Sequence, residues 1–242
     1  VKINDSSCDY VLKKFKVSCF FNQANFIDLL STIQECRLLE FLQPNPVQLL
    51  LPIRVGKLSN NVIFALYDYH FDVKYPCNDV KSFNQDILAG LKFLHDHDIV
   101  HNDLKTSNIV VNACGKFKII DFGNIIRTKF PLLLHDFQIG GTVFPPECAR
   151  RDKITSNFYA IDYWAYGSLY ASSFIGLDAE IIMSPLPNEP DRYYKNLESD
   201  VVDAKNDLIH SLSNHFENSE FDIDILKNCL IEDPSLRFIK DF

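Results

Sequence analysis

An α+β fold of two unequal lobes is the architecture that this sequence of 242 residues predicts, and two patterns carry the prediction. Up to about Tyr69, a strand-like run, one helical run and two further strand-like runs follow in order, as in a small sheet with one helix against it. Beyond that point the periodicity is mainly helical, interrupted by short apolar runs at Ile109 to Val111 and Phe117 to Ile120. The expected division is a small β-rich N-terminal lobe with one long helix at residues 1–69 and a larger, mostly α-helical lobe at 70–242, hinged near Tyr67 to Asp72.

Each element has its own signal. Tyr10 to Phe20 alternates apolar and polar residues, as a half-buried strand does. Between Asn25 and Leu42, Phe26, Leu29, Leu30, Ile33, Leu38, Leu39 and Leu42 recur at helical spacing, and Pro44 and Pro46 end the helix. Leu49 to Ile53 and Val62 to Tyr69 read as strands separated by the turn-prone stretch Gly56 to Asn61. Val80 to His97 is an amphipathic helix with Ile87, Leu88, Leu91 and Leu94 on one stripe. The two short runs that follow are strands joined at Gly115. From Tyr159 onward the pattern is helical, broken by a loop at Pro185 to Asp191. The chain carries no internal repeat and no low-complexity stretch.

Composition narrows the function classes. With 47% hydrophobic and 23% charged residues the chain is an ordinary globular sequence, long enough for a sizeable core. A net charge of −8 argues against a chain-wide footprint for nucleic acid or anionic membrane, and no apolar run approaches a membrane span. The seven cysteines are scattered singly, which reads as free thiols in a reducing compartment. No secretory leader opens the chain, so the expected address is cytoplasm or nucleus.

Chemistry concentrates in His101-Asn102-Asp103-Leu104-Lys105-Thr106-Ser107-Asn108, followed by Asp121-Phe122-Gly123. Phosphoryl transfer needs a carboxylate to accept a hydroxyl proton, a cation beside the transferring phosphate, and hard oxygen ligands for Mg²⁺. Asp103, Lys105, Asn108 and Asp121 supply that inventory within one short stretch. Asn108 lies five residues and Asp121 eighteen residues beyond Asp103.

These two motifs resemble the H-R-D-L-x-x-x-N catalytic loop and D-F-G segment of eukaryotic-type serine/threonine protein kinases. The resemblance implies a bilobal protein-kinase-like fold, with ATP and Mg²⁺ as cofactors and a protein substrate. It casts Asp103 as the base, Lys105 beside the γ-phosphate, and Asn108 and Asp121 as metal ligands. Tyr10-Val11-Leu12-Lys13 is similar to the family's V-A-I-K strand, so Lys13 would meet the α- and β-phosphates. Glu35, in a register like that of the family's following helix, would be its partner, whereas Glu40 faces elsewhere on that helix. Ile63 to His70 resembles the last strand of the small lobe and the hinge. Tyr67 would stand at the back of the nucleotide pocket, and Asp68, Tyr69 and His70 would bring backbone groups to the adenine edge.

Further landmarks have the family's order. Gly141-Thr142-Val143-Phe144-Pro145-Pro146-Glu147 is similar to the substrate loop and A-P-E, and Asp162-Tyr163-Trp164-Ala165-Tyr166-Gly167 to D-x-W-x-x-G. Asp233-Pro234-Ser235-Leu236-Arg237 resembles the distal arginine motif, which would pair Arg237 with a buried Glu147. His101 is expected to pack beneath the catalytic loop. The remaining histidines, His95 among them, form no metal-ligand grouping and read as structural.

Three departures matter. Asn102 replaces the arginine that, in the family, helps bind an activation-loop phosphate, so activity should not depend on that phosphate through this contact. Thr142 lies only five residues before Glu147, closer than in the common pattern. The glycine-rich lid has no counterpart in Val1 to Leu12, which contains no glycine, and is expected to be trimmed or lost. Two rival readings follow: a pseudokinase scaffold that binds nucleotide, and a small-molecule phosphotransferase, the latter opposed by the Pro145-Pro146-Glu147 and Arg237 landmarks. His101-Asn102-Asp103 and the compact small lobe also resemble kinases of large DNA viruses of the baculovirus type. The sequence leaves oligomeric state open.

Overall fold

A computed structural model describes residues 2–4, 9–16, 38, 42, 47–59, 62–129, 143, 145–149, 157–176, 197–215 and 221–239. Its N-terminal part is an antiparallel sheet in the order β1-β2-β4-β3, built from β1 (Lys2–Asn4), β2 (Asp9–Lys16), β3 (Arg54–Ser59) and β4 (Val62–Asp68). β2 lies against β4 with Val11 opposite Tyr67 and Lys13 opposite Ala65. Directly opposed residues of an antiparallel pair share a face, so Lys13, Ala65, Val11 and Tyr67 project from the same side.

Arg54 to Ser59 is a strand, not the start of a turn, and Gly56 sits inside it opposite Phe64. A Cβ at Gly56 would lie 2.6 Å from Cε1 of the Phe64 ring, so the glycine makes room for an aromatic ring across the strand pair. Conversely, Leu49 to Ile53 is not a regular strand. Leu49 makes an isolated parallel bridge with Ile119, and the Ile53 N–H reaches the Leu66 carbonyl at 2.7 Å. The segment thus runs from the C-terminal part to the N-terminal sheet, which explains buried Leu49 and Leu51 in alternation without a ladder. Most of the helix expected at Asn25 to Leu42 lies outside the described residues. Leu38 and Leu42, both fully buried, are joined by a helical hydrogen bond of 2.8 Å.

The chain leaves the first sheet after Asp68 and enters a second at β5 (Phe71–Asp72), which pairs with β7 (Ile109–Val111) and through it β8 (Phe117–Ile119). β6 (Ile99–Val100) pairs with β9 (Ile126–Arg127). Helix α1 (Val80–Asp96) starts at Asp79, whose side chain accepts from the Ser82 N–H, and buries Phe83, Ile87, Leu91 and Leu94. The short α2 (Pro146–Ala149) precedes α3 (Tyr159–Ile175), buried nearly all round as a central helix must be. α4 (Leu197–His215) and α5 (Ile223–Cys229) complete the larger part. One apolar cluster runs from Leu38 and Leu42 through Leu104, Ile119 and Phe122 to Trp164, Leu212 and Leu226. The architecture is therefore a bilobal α+β fold, a small sheet region followed by a helical one. Among the described residues, no helix is long and apolar enough to cross a membrane.

Candidate active site

The loop from His101 to Asn108 is anchored from below by α3. Asp162, wholly buried in its first turn, accepts the His101 N–H at 2.8 Å on Oδ2 and the Asn102 N–H at 2.9 Å on Oδ1. His95 of α1 donates its Nε2–H to Oδ2, also at 2.8 Å. Burial by itself pushes the Asp162 carboxyl up, but the hydrogen bond and charge of His95, with His101, outweigh it and hold the group below its ordinary value. His95, read from sequence as structural and as no metal ligand, is a positioning contact for this loop. Its signal was only its presence at the end of an amphipathic helix, with no spacing to Asp162 that a linear reading displays.

The loop's backbone is shaped by what Asp162 holds. Asn102 lies at φ 62°, a left-handed conformation that asparagine adopts more readily than most residues. Its Nδ2 donates to the Asn124 carbonyl at 2.9 Å. The buried His101 ring donates from Nε2 to the Ile120 carbonyl and accepts the Asp103 N–H on Nδ1, which fixes the neutral tautomer. That ring meets Phe122 edge-on at 5.4 Å. The 101–108 loop and the Asp121-Phe122-Gly123 turn are thereby locked together.

Asp103, only 6% exposed, is ringed by donors. Lys105 Nζ reaches both carboxylate oxygens, at 3.1 and 3.0 Å. Asn108 Nδ2 donates to the Asp103 carbonyl at 2.7 Å and to Oδ2 at 3.3 Å. Asn124 Nδ2 also meets Oδ2 at 3.3 Å. Asp121 is brought alongside by the Ile120 N–H, which donates to the Asn108 carbonyl at 2.9 Å. It stands at φ 65°, ψ 75°. Its half-buried carboxylate has no hydrogen bond or ion pair among the described residues.

That arrangement fits a hard divalent cation. Asn108 commits its amide N–H to Asp103 and leaves its side-chain oxygen without a donor, while the Ile120 N–H bond to its backbone carbonyl brings the segment of Asp121, with its uncommitted carboxylate, alongside. No group of three or more His, Cys, Asp or Glu suited to a metal occurs among the described residues. A Mg²⁺ site with one carboxylate, one amide oxygen and phosphate ligands needs none.

The other predicted residues divide. Lys13 and Tyr67 share a face of the N-terminal sheet. Glu35, with Gly141, Thr142 and Phe144, lies outside the described residues. Between the sheets, His70 Nδ1 contacts the Asp68 carbonyl at 3.1 Å, and Tyr69 packs edge-on to Phe71. Burial lowers the pKa of Lys118, with the charge of Asp68 opposing. Burial likewise lowers that of His70, with its hydrogen bond to Asp68 opposing. Farther away, Arg237 grips Glu147 in a bidentate pair at 2.5 and 2.6 Å and stacks over Trp164 at 4.8 Å. This contact joins the end of α5's connection to α2.

The chain is 33% identical over 141 residues to mitogen-activated protein kinase kinase kinase 1b of Physcomitrium patens, covering 58% of this chain and 18% of that protein. It is 31% identical over 126 residues to cyclin-dependent kinase G1 of Arabidopsis thaliana, covering 48% of this chain and 20% of that protein. The matched part is thus a fifth or less of the length of these relatives. The family model described as "Protein kinase domain" matches residues 10–239, nearly the whole length, and the chain belongs to that family.

Proposed function

We propose that this chain transfers the γ-phosphoryl group of ATP to serine or threonine hydroxyls of protein substrates. The observation that carries the reading is the Asp103–Lys105–Asn108 cluster, locked to the Asp121 turn through Asn108 and Ile120. ATP would supply the phosphoryl group, and Mg²⁺ would offset its negative charge. Asn108 Oδ1 and the Asp121 carboxylate would hold the metal, and Lys13 with Glu35 would seat the nucleotide. Asp68, Tyr69 and His70 would meet the adenine edge through their backbone. Asp103 would orient the attacking hydroxyl and take its proton, while Lys105 would steady the transferring group. Lys105 also favours serine and threonine over tyrosine, on the resemblance of its position. Residues 1–69 and 70–242 would form the two lobes around the nucleotide.

The rival reading is a scaffold or binding module that binds nucleotide without efficient transfer. Radiolabel transfer from ATP to a basic protein and a generic peptide separates the two. Label on phosphoserine and phosphothreonine supports the kinase. Nucleotide binding without label on either acceptor supports the scaffold instead.

A further inference from the structure

Asp103 distributes its hydrogen bonds unevenly. Oδ2 accepts from Lys105, Asn108 and Asn124, whereas Oδ1 accepts from Lys105 alone among the described residues. A carboxylate has about four acceptor directions, so Oδ2 is saturated and Oδ1 retains an open one. The torsion that swaps the two oxygens is intrinsically broad, and donors confined to one side are what fix it.

Asn124 is the donor with no counterpart in the motif that identified this loop. It ends the 3₁₀ turn Phe122–Asn124 and donates from Nδ2 to Oδ2 at 3.3 Å. Its own position is held from behind, because its carbonyl accepts the Asn102 Nδ2 at 2.9 Å. Asn102 in turn hangs by its N–H from the buried Asp162. An unbroken chain of contacts thus runs from the central helix through two amide side chains to the carboxylate.

We propose that Asn124 is a positioning residue for phosphoryl transfer, holding Asp103 Oδ2 so that Oδ1 faces the incoming hydroxyl, with Asn102 bracing it. The proposal deepens the kinase reading and rests on it. In the step so served, the hydroxyl O–H bond breaks and its proton passes to Oδ1. The hydroxyl oxygen bonds the γ-phosphorus, and the bond to the bridging oxygen breaks with its electron pair leaving on ADP. Asn124 neither gains nor loses a proton.

The test compares steady-state kinetics and melting of the 242-residue chain with Asn124→Leu, which keeps the shape, and Asn124→Ala. Both are expected to lower kcat by about tenfold, with KM for ATP and for the acceptor within about twofold and melting unchanged. Asn102→Ala is expected to give a smaller loss in the same direction. Against Asp103→Asn, the residual rate is expected to be insensitive to Asn124→Leu, since the oxygen being positioned is gone. Unchanged kcat in both Asn124 variants overturns the proposal. So does an equal loss in the Asp103→Asn background, or a loss that tracks lowered melting or a raised KM for ATP. Absence of transfer by the unaltered chain overturns the kinase reading with it, whereas normal transfer by both variants overturns this proposal alone.

Discussion

At φ 62° Asn102 takes a left-handed backbone conformation that costs most side chains about 1–2 kcal/mol but that asparagine adopts more readily, and its amide donates across the fold to the Asn124 carbonyl. Asp121, at φ 65°, also stands in the left-handed region, with its carboxylate left uncommitted. Asp121→Asn should therefore fold normally yet weaken Mg²⁺-dependent ATP binding, by about tenfold or more, with metal-free binding little altered. Titration calorimetry with and without Mg²⁺ reads this directly, and equal affinities in the two proteins would contradict the assignment. Asp162 makes a different prediction. Its carboxyl titrates below its ordinary value of 3.8 in the folded chain, because His95 and the loop outweigh burial. The stabilisation is fully present above 3.8 and fades as pH falls through the lower folded value. Melting temperature should drop in that acid window, and Asp162→Ala should flatten the acid limb while costing about 3–5 kcal/mol at neutral pH. An acid limb as steep in the variant as in the parent would show that another group governs it.

Between elements, contact distances decide the outcome. Gly167 lets α3 approach α5 so closely that a Cβ would lie 2.9 Å from Cys229 Cβ and Leu230 Cδ2. Alanine there gains about 1 kcal/mol of helix propensity but forces apart a packed contact, so Gly167→Ala should destabilise by about 1–3 kcal/mol. Denaturant unfolding measures the sign, and a stabilised variant would mean the two helices separate easily. The Glu147–Arg237 pair is buried on both sides, so removing the carboxylate leaves a buried guanidinium with only the Ile231, Ala160 and Glu232 carbonyls and no counter-charge. Glu147→Ala should lose about 3–5 kcal/mol. How legible these elements were follows from their packing. α1 shows its stripe because one face is buried and the other wet. β3 was concealed because Gly56, usually a turn signal, serves to admit the Phe64 ring. The cluster Asp103, Lys105, Asn108 and Asp121 was legible because its chemistry is local in sequence. The contacts of Asp162, read only as the start of D-x-W-x-x-G, and those of His95 and Asn124 were not, since they span 60, 67 and 21 positions that only folding brings together.

Across the whole molecule, the cluster that joins Leu38 and Leu42 to Phe122 and the α3 core ties positions lying between β2 and β3 in sequence to the loop bearing Asp103. His101, Phe122 and Asp162 make the loop's geometry a property of the packed interior rather than of a surface charge. Asn102, neutral and bonded to Asn124, offers no cation to an activation-segment phosphate. Phosphatase-treated protein is accordingly expected to keep its transfer rate within about twofold, and loss of most activity would contradict that independence. The central claim is that Asp103 is the base of a working phosphotransferase. It is tested most directly by the single-turnover rate of transfer from ATP to a serine peptide in the parent chain and in Asp103→Asn. The expected fall is about 10²–10⁴-fold, with ATP affinity retained. A parent chain that transfers at the same rate as Asp103→Asn would contradict it.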